Sequence, residues 1–146
     1  MKLVIASDHA AFEAKQTLVN FLKQEGHDVL DVGTHSLEST HYPEWAKKLV
    51  AEVLSQKIPG ILLCGSGIGV SMTANRFKGI RAALCHDEDD AKMSRLHNNA
   101  NVICLAGRKT NIDQLKRMVN VFLTTSFEGG RHQLRLDQFN DLGSDC

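Results

Sequence analysis

Short apolar runs alternate with segments of helical periodicity along the chain. Five runs predict buried strands, at residues 3–6, 28–32, 61–63, 80–84 and 101–106. The segments that follow them repeat apolar side chains every three or four residues, as Trp45, Leu49 and Val53 do. Strands that alternate with helices in this way form parallel βαβ units. The pattern therefore predicts an α/β fold whose parallel sheet is covered by helices on both faces.

Helix boundaries follow from residues with special backbone chemistry. Ser7 or Asp8 could cap the first helix, and Gly26 would end it. Pro43 suits the first turn of the second helix because its missing N–H costs little there. The sequence predicts a helix from about 69 to 76 after the glycine-rich turn, another from the acidic residues at 87–90 to 97, and a third around 112–122. Gly129 and Gly130 break the chain before a weakly amphipathic helical tail at 131–142.

Polar and sulfur-bearing side chains stand where four of the predicted strands end. Asp8 and His9 follow the first strand, Cys64 the third, Cys85 and His86 the fourth, and Arg108 the fifth. In parallel α/β sheets, ligands bind outside the carboxyl ends of the strands. We therefore expect these groups to gather at one edge of the sheet.

Composition narrows the class of partner. The 146 residues favour one domain, 1–146, and the formal net charge of zero gives no reason to expect nucleic acid or an anionic membrane as partner. No apolar run reaches the roughly 18 residues that signal a membrane span, and the first residues do not resemble a signal peptide, so a cytoplasmic location is expected. The four cysteines form no C-x-x-C pair, which predicts free thiols and no metal site.

The glycine-rich turn after the third strand, with glycines at 65, 67 and 69, fits none of three common motifs. The dinucleotide fingerprint would need a glycine where Val70 stands, and the C-x5-R phosphatase loop would need an arginine there. No Gly-Lys-Ser/Thr follows, so it is not a Walker loop. What remains is a nest of N–H groups beside Cys64, able to hold an anion. Cys64 is then a thiolate base or nucleophile, or simply a small buried hydrophobe, with equal weight. For Cys85 and Cys104 the buried role is favoured.

Basic side chains later in the chain allow two interpretations each. His97 stands at a predicted helix end, where it could cap the helix or act as a general acid or base. Arg131 and Arg135 are four residues apart and share a helix face, with His132 between them. That face suits a phosphate group, or it is an ordinary solvated basic surface.

Several motifs together resemble those of the type B ribose-5-phosphate isomerases, a family that includes allose- and galactose-6-phosphate isomerases. The resemblance runs from residue 1 to about 140 and is carried by Ser7-Asp8-His9, Tyr42-Pro43, Cys64-Gly-Ser-Gly-Ile-Gly69, Ala74-Asn75-Arg76, His97-Asn98 and Gly129-Gly-Arg-His-Gln-Leu-Arg135. It implies a Rossmann-like three-layer α/β/α sandwich with a five-stranded parallel sheet. It also implies a homodimer or homotetramer with active sites shared between subunits, and no metal or organic cofactor.

The resemblance also implies roles for individual residues. Cys64 would be the base that moves a proton between C1 and C2 of the sugar phosphate, and His97 would open the furanose ring. Ser66 and the N–H groups of the loop, from Gly65, Gly67, Ile68 and Gly69, would stabilise the enediolate. Asp8 would bind sugar hydroxyls and assist catalysis, and Tyr42 and Asn98 would line the sugar site. The phosphate would be held by His9, Arg131 and Arg135, with Arg108 helping from the partner subunit.

Three positions depart from the family pattern. Ser66 replaces the usual threonine and keeps its hydroxyl, Ala11 replaces a common glycine, and His41 replaces an aspartate before Tyr42. The expected activity is interconversion of ribose 5-phosphate and ribulose 5-phosphate through a cis-enediolate. Two alternatives remain: the same chemistry on a six-carbon sugar phosphate, and a non-catalytic sugar-phosphate sensor.

Overall fold

All five predicted strands form and join one parallel sheet. The computed structural model describes residues 1–145, so Cys146 lies outside the described residues. The sheet has the order β2-β1-β3-β5-β4, and every neighbouring pair is parallel. The strands are β1 (Lys2–Ser7), β2 (Asp28–Asp31), β3 (Gly60–Cys64), β4 (Ala82–Leu84) and β5 (Val102–Ala106).

The described residues form six α-helices, of which the first five contribute to the apolar clusters on the two faces of this sheet. They are α1 (Phe12–Gln24), α2 (Tyr42–Gln56), α3 (Ile68–Ala74), α4 (Glu88–Leu96), α5 (Ile112–Thr124) and α6 (Arg131–Leu136), with 3₁₀ turns at His9–Ala11 and Asp137–Phe139. Successive residues of β3 point to opposite faces, as a strand requires. Ile61 and Leu63 pack with α1, α4 and α5, whereas Leu62 and Cys64 pack with α2 and α3. The predicted three-layer α/β/α sandwich is confirmed.

Capping side chains begin several helices where the sequence predicted starts. Asp8 accepts a hydrogen bond from the N–H of Ala10 (3.0 Å), and Asp87 accepts one from Asp90 (2.8 Å). Gly26 has a φ of +83°, and its N–H donates to the carbonyl oxygen of Lys23, as expected of a residue that ends a helix.

Three predicted boundaries are wrong by a few residues. The fourth strand is only Ala82–Leu84, because the N–H of Ile80 donates to Phe77 in a turn and does not join the sheet. The helix after the glycine turn spans Ile68–Ala74 and not 69–76. The tail forms two short elements, α6 and the 3₁₀ turn after it, so the predicted helix to 142 ends early.

Lys15 occupies a helical position that the sequence pattern groups with apolar residues, and it is fully buried. Its ammonium group forms an ion pair with Asp31 at the end of β2. Burial lowers the pKa of Lys15, while the hydrogen bond and charge of Asp31 oppose that change. No described helix has both the length and the apolar character needed to cross a bilayer.

Candidate active site

The strand order reverses between β1 and β3, and the candidate site lies at their carboxyl ends. One connection from β1 leads to β2 on one side, while β3 lies on the other side. Such a reversal opens a crevice at the sheet edge, where α/β proteins bind ligands. The edge is tied together by backbone hydrogen bonds: the N–H of Asp8 donates to Leu63, and the N–H of Arg108 donates to Gly65. The predicted gathering of Asp8, His9, Cys64 and Arg108 at one edge is confirmed.

The thiol of Cys64 lies at the end of β3, almost completely buried. Its sulfur accepts a hydrogen bond from the N–H of Gly67 (3.1 Å). Cys64 also packs in the apolar cluster beneath α2 and α3. Its side chain is therefore buried, as one interpretation held, and its sulfur still faces a backbone N–H of the loop, as the other requires. A sulfur held against a backbone donor at the mouth of a loop can carry negative charge or exchange a proton there.

Gly67 is required by the shape of this loop. Its φ is +75°, and a Cβ there would lie 2.6 Å from Cδ1 of Leu84 and 3.0 Å from the backbone carbon of Leu105. A larger residue would have to displace the Leu84 side chain and would crowd the backbone of β5, at a φ that favours glycine. The absence of a side chain therefore lets the loop pass close to the sheet and aim its N–H at the sulfur.

The rest of the loop presents polar groups toward solvent. The hydroxyl of Ser66 accepts a hydrogen bond from the N–H of Ile68 (3.3 Å), and Ser66 and Gly65 are half-buried. Gly69 lies against the ring of Tyr42, since a Cβ there would come within 2.5 Å of its Cζ. The loop and Tyr42 thus form one continuous wall, as expected for a sugar site.

His9 has a defined tautomer. Its Nδ1 accepts a hydrogen bond from the N–H of Thr40 (3.2 Å), which leaves the proton on Nε2 as a donor. Thr40 is itself held by the indole N–H of Trp45. The imidazole lines a cavity of about 370 Å³ together with Glu13, Leu37 and Arg108. This cavity can offer an N–H and a guanidinium to an anion.

Arg108 lies beside the glycine loop of its own chain. Its Cδ is 3.4 Å from the place where a Cβ of Gly65 would stand. Within its own chain, Arg108 lines the same cavity as His9. Its expected contribution to the site of a partner subunit stays a prediction. Asp8, which is buried, uses Oδ1 to accept the N–H of Ala10 and keeps Oδ2 for another partner.

The remaining predicted site residues lie at the opposite edge of the sheet. Helix α4 runs back from the carboxyl edge to the amino edge, so His97 and Asn98 at its end approach the start of β5. There the carbonyl oxygen of Asn101 accepts a hydrogen bond from Gly60, the first residue of β3. Cys64 is the last residue of the same strand, about 13 Å away at roughly 3.3 Å per residue.

Arg131 and Arg135 lie at the same edge of the sheet as His97. The N–H of Glu128, in the segment that leads into α6, donates to the carbonyl oxygen of Leu96 (3.0 Å) and ties α6 to the end of α4. Both arginines are exposed on α6. Within one chain, His97, Asn98, Arg131 and Arg135 therefore lie at the edge opposite the Cys64 loop. We call the group around Cys64 the first half-site and the group around His97 the second half-site; their joint action across subunits stays a prediction.

The second half-site contains a contact that sequence reasoning missed. The rings of His97 and His132 stack with centroids 4.3 Å apart and planes 12° apart. Oε2 of Glu128 lies 3.7 Å from Nε2 of each histidine. Burial lowers the pKa of the His132 imidazole, and the adjacent His97 lowers it further. Glu128 carried no sequence signal, because it stands in a linker and meets the histidines only through folding.

Comparisons with known proteins show the family of the chain. The family model for ribose/galactose isomerases matches residues 3–139. Ribose-5-phosphate isomerase B of Escherichia coli is 39% identical over 137 residues, covering 93% of this chain and 92% of that protein.

Solved structures agree as well. A ribose 5-phosphate isomerase of Thermotoga maritima has a TM-score of 0.94 and 48% identity, covering 97% of this chain and 98% of that one. A ribose-5-phosphate isomerase B of Mycoplasma genitalium, solved with bound ribulose-5-phosphate, has a TM-score of 0.92 and 38% identity, covering 95% and 93%. The chain therefore belongs to the ribose/galactose isomerase family of sugar-phosphate isomerases.

Proposed function

We propose that the chain, acting as a single domain, interconverts ribose 5-phosphate and ribulose 5-phosphate at sites shared between two copies. The observation that carries this proposal is the Cys64 sulfur held at the carboxyl edge by the N–H of Gly67. Membership in the family and the ribulose-5-phosphate bound to the Mycoplasma genitalium relative support the substrate.

The reaction begins with the closed sugar. His97 donates a proton to the ring oxygen as the C1–O bond to that oxygen breaks. Asp8 accepts the proton of the C1 hydroxyl, which gives the open-chain aldose. Asp8, Tyr42 and Asn98 hold the sugar hydroxyls during this step. The phosphate is bound by His9, Arg131 and Arg135, with Arg108 beside them, and this remote grip places C1 and C2 against the base.

Proton transfer then exchanges the carbonyl position. The Cys64 thiolate removes the proton from C2, the C1–C2 double bond forms, and the electrons of the carbonyl move to its oxygen. The enediolate charge is stabilised by Ser66 and the loop N–H groups from Gly65 to Gly69; each such donor typically lowers the barrier by a few kcal/mol. The thiol returns the proton to C1, and the C2 hydroxyl passes its proton to the C1 oxygen. C2 thereby becomes the ketone and C1 carries the hydroxyl. No redox cofactor or metal enters this balance.

The assay is direct. Conversion of ribose 5-phosphate is measured with EDTA present, for the wild type, Cys64→Ala and Cys85→Ala. We expect the wild type and Cys85→Ala to turn over, and Cys64→Ala to lose at least about a thousandfold in kcat while it still binds the sugar phosphate. Full activity in Cys64→Ala would refute cysteine as the base.

A six-carbon substrate is the second candidate, because the family description names galactose beside ribose. The ratio of kcat/KM for ribose 5-phosphate to that for allose 6-phosphate decides between them, and we expect the five-carbon substrate to be preferred. Binding of either sugar phosphate with no turnover would favour the sensor instead. Homodimer or homotetramer assembly is tested by light scattering, in which a monomer alone would contradict shared sites.

A further inference from the structure

The cluster of His97, Glu128 and His132 has the composition of a transition-metal site. Two imidazole nitrogens and a carboxylate oxygen are the ligands that zinc takes in sites with three protein ligands. The three candidate ligand atoms all lie within 4.8 Å of one another. They come from the end of α4, the linker before α6 and α6 itself, so the fold and not a local motif assembles them.

The spacing of these atoms suits a small divalent ion. Nε2 of each histidine lies 3.7 Å from Oε2 of Glu128. A point equally far from the three atoms lies about 2.1 to 2.4 Å from each, close to the roughly 2.0 to 2.2 Å of zinc–nitrogen and zinc–oxygen bonds. The distances of 3.7 Å are too long for hydrogen bonds between these groups. The space between the three atoms is therefore open to an ion.

His132 gives independent support. It is 4% exposed, and its Nε2 has no hydrogen-bond partner among the described residues. A buried polar nitrogen without a partner is rare in folded proteins because it loses its hydration without compensation. An ion bound between Nε2 and Glu128 would satisfy it.

We propose that His97, Glu128 and His132 bind a divalent transition metal ion of the zinc type. This ion inhibits the enzyme because it binds the nitrogen of His97, which then cannot donate a proton to open the sugar ring. Metal binding stands on the geometry alone; the inhibition rests on the proposed function. The ion is a regulator or inhibitor and takes no part in the isomerisation.

Two features set the strength of this site. The stacked rings are nearly parallel, so their Nε2 lone pairs lie in two nearly parallel planes and one ring must turn for both to point at one ion. That ring is the imidazole of His97, which is half-exposed and makes no side-chain hydrogen bond among the described residues. Arg131 and Arg135 lie close by on α6 and repel a further cation. We therefore expect a dissociation constant on the order of micromolar, weaker than a structural zinc site.

Titration calorimetry of zinc into EDTA-treated full-length protein tests the site. We expect one ion per chain, and a loss of affinity of about tenfold or more in Glu128→Gln and in His132→Gln. Glu25→Gln, which removes an exposed carboxylate at the end of α1, is the matched control and should bind like the wild type. Glu128 is itself exposed, so its variant tests the site even where His132→Gln fails to fold.

The cysteines are the main competing ligands, and both variants retain all four of them. Equal affinity in the wild type and Glu128→Gln would therefore assign the zinc to thiols and overturn the site. Ring ¹⁵N shifts of His97 and His132 on zinc addition provide a second readout without turnover. Zinc inhibition that is weakened in Glu128→Gln would support the regulatory half. Binding at these residues without inhibition would refute that half and leave the isomerase assay of Cys64→Ala unaffected.

Discussion

Glycine 67 is the residue at which the loop chemistry depends most directly on backbone geometry. The change Gly67→Ala places a Cβ against Leu84 and the backbone of Leu105, at a φ of +75°. We expect it to lower the free energy of unfolding by about 2–4 kcal/mol, from strain at positive φ and overpacking, and to lower kcat by displacing the N–H that faces the Cys64 sulfur.

Gly129→Ala provides the control because its φ of +74° matches that of Gly67, while nothing lies within 4 Å of its Cβ. We therefore expect Gly129→Ala to lower the free energy of unfolding by only about 1 kcal/mol, from strain at positive φ without overpacking. Denaturant unfolding and the isomerase assay measure both variants. Equal losses of stability would contradict the close packing of the loop on β5.

Cys85 illustrates a thiol that folding keeps protonated. Burial raises its pKa to about 12, and Asp90 and Asp87 add to this effect. Burial also raises the pKa of Cys104. The pKa of the Cys85 thiol is higher in the folded state than in the unfolded state, so between about pH 9 and 12 the unfolded state loses the proton while the folded state keeps it. The free energy of unfolding is therefore unaffected by this thiol below about pH 9 and falls between about pH 9 and 12.

Stability should therefore fall with rising pH in that window by up to about 1.4 kcal/mol per pH unit for each such thiol. Urea unfolding at pH 8 and pH 10.5 measures the fall, and Cys85→Ala should show a shallower one than the wild type. An identical pH dependence in the two proteins would contradict the raised pKa of Cys85.

At the scale of elements, the sequence predicts the order of strands and helices. It predicts only in part which side chains come together in the fold. The continuous apolar run of β3 and the helical spacing in α2 depend on local sequence, so both elements were confirmed. Ile80 was assigned to a strand on its apolar character, but a turn to Phe77 removes it. The stack of His97 on His132, and its distance from Cys64, depend on which edge a helix reaches, and periodicity alone does not carry that information.

A buried ion pair between Lys15 and Asp31 joins α1 to β2. The buried ammonium of Lys15 on α1 pairs with Asp31 at the end of β2, and Asp31 also accepts the N–H of Gly33 (3.0 Å). The change Asp31→Asn leaves a buried cation without its counter-charge, and we expect a loss of about 3–5 kcal/mol in stability.

Lys15→Met should cost less, because Asp31 is 20% exposed and keeps the Gly33 donor. The larger effect of Asp31→Asn in denaturant unfolding is the specific expectation. If Lys15→Met is the more damaging change, the ion pair does not dominate this contact between α1 and β2.

At the scale of the whole molecule, the proposed function joins the two half-sites only across two chains. Cys64 and the glycine loop lie at the carboxyl edge, whereas His97 and Arg131 lie at the amino edge of the same sheet. Under the proposed function, a dimer with a two-fold axis would join the first half-site of one copy to the second half-site of the other, and would do so twice. Mixed dimers of two inactive variants therefore test the arrangement.

Cys64→Ala and His97→Gln are each expected to be inactive alone. After they are unfolded together and refolded, half of the dimers carry one chain of each kind, and each of these has one intact site and one site that lacks both residues. We expect about a quarter of wild-type activity to return under random pairing. Refolding each variant separately controls for recovery of the fold. No gain in the mixture, with mixed dimers verified by native mass spectrometry, would place Cys64 and His97 in the same chain's site and contradict sharing.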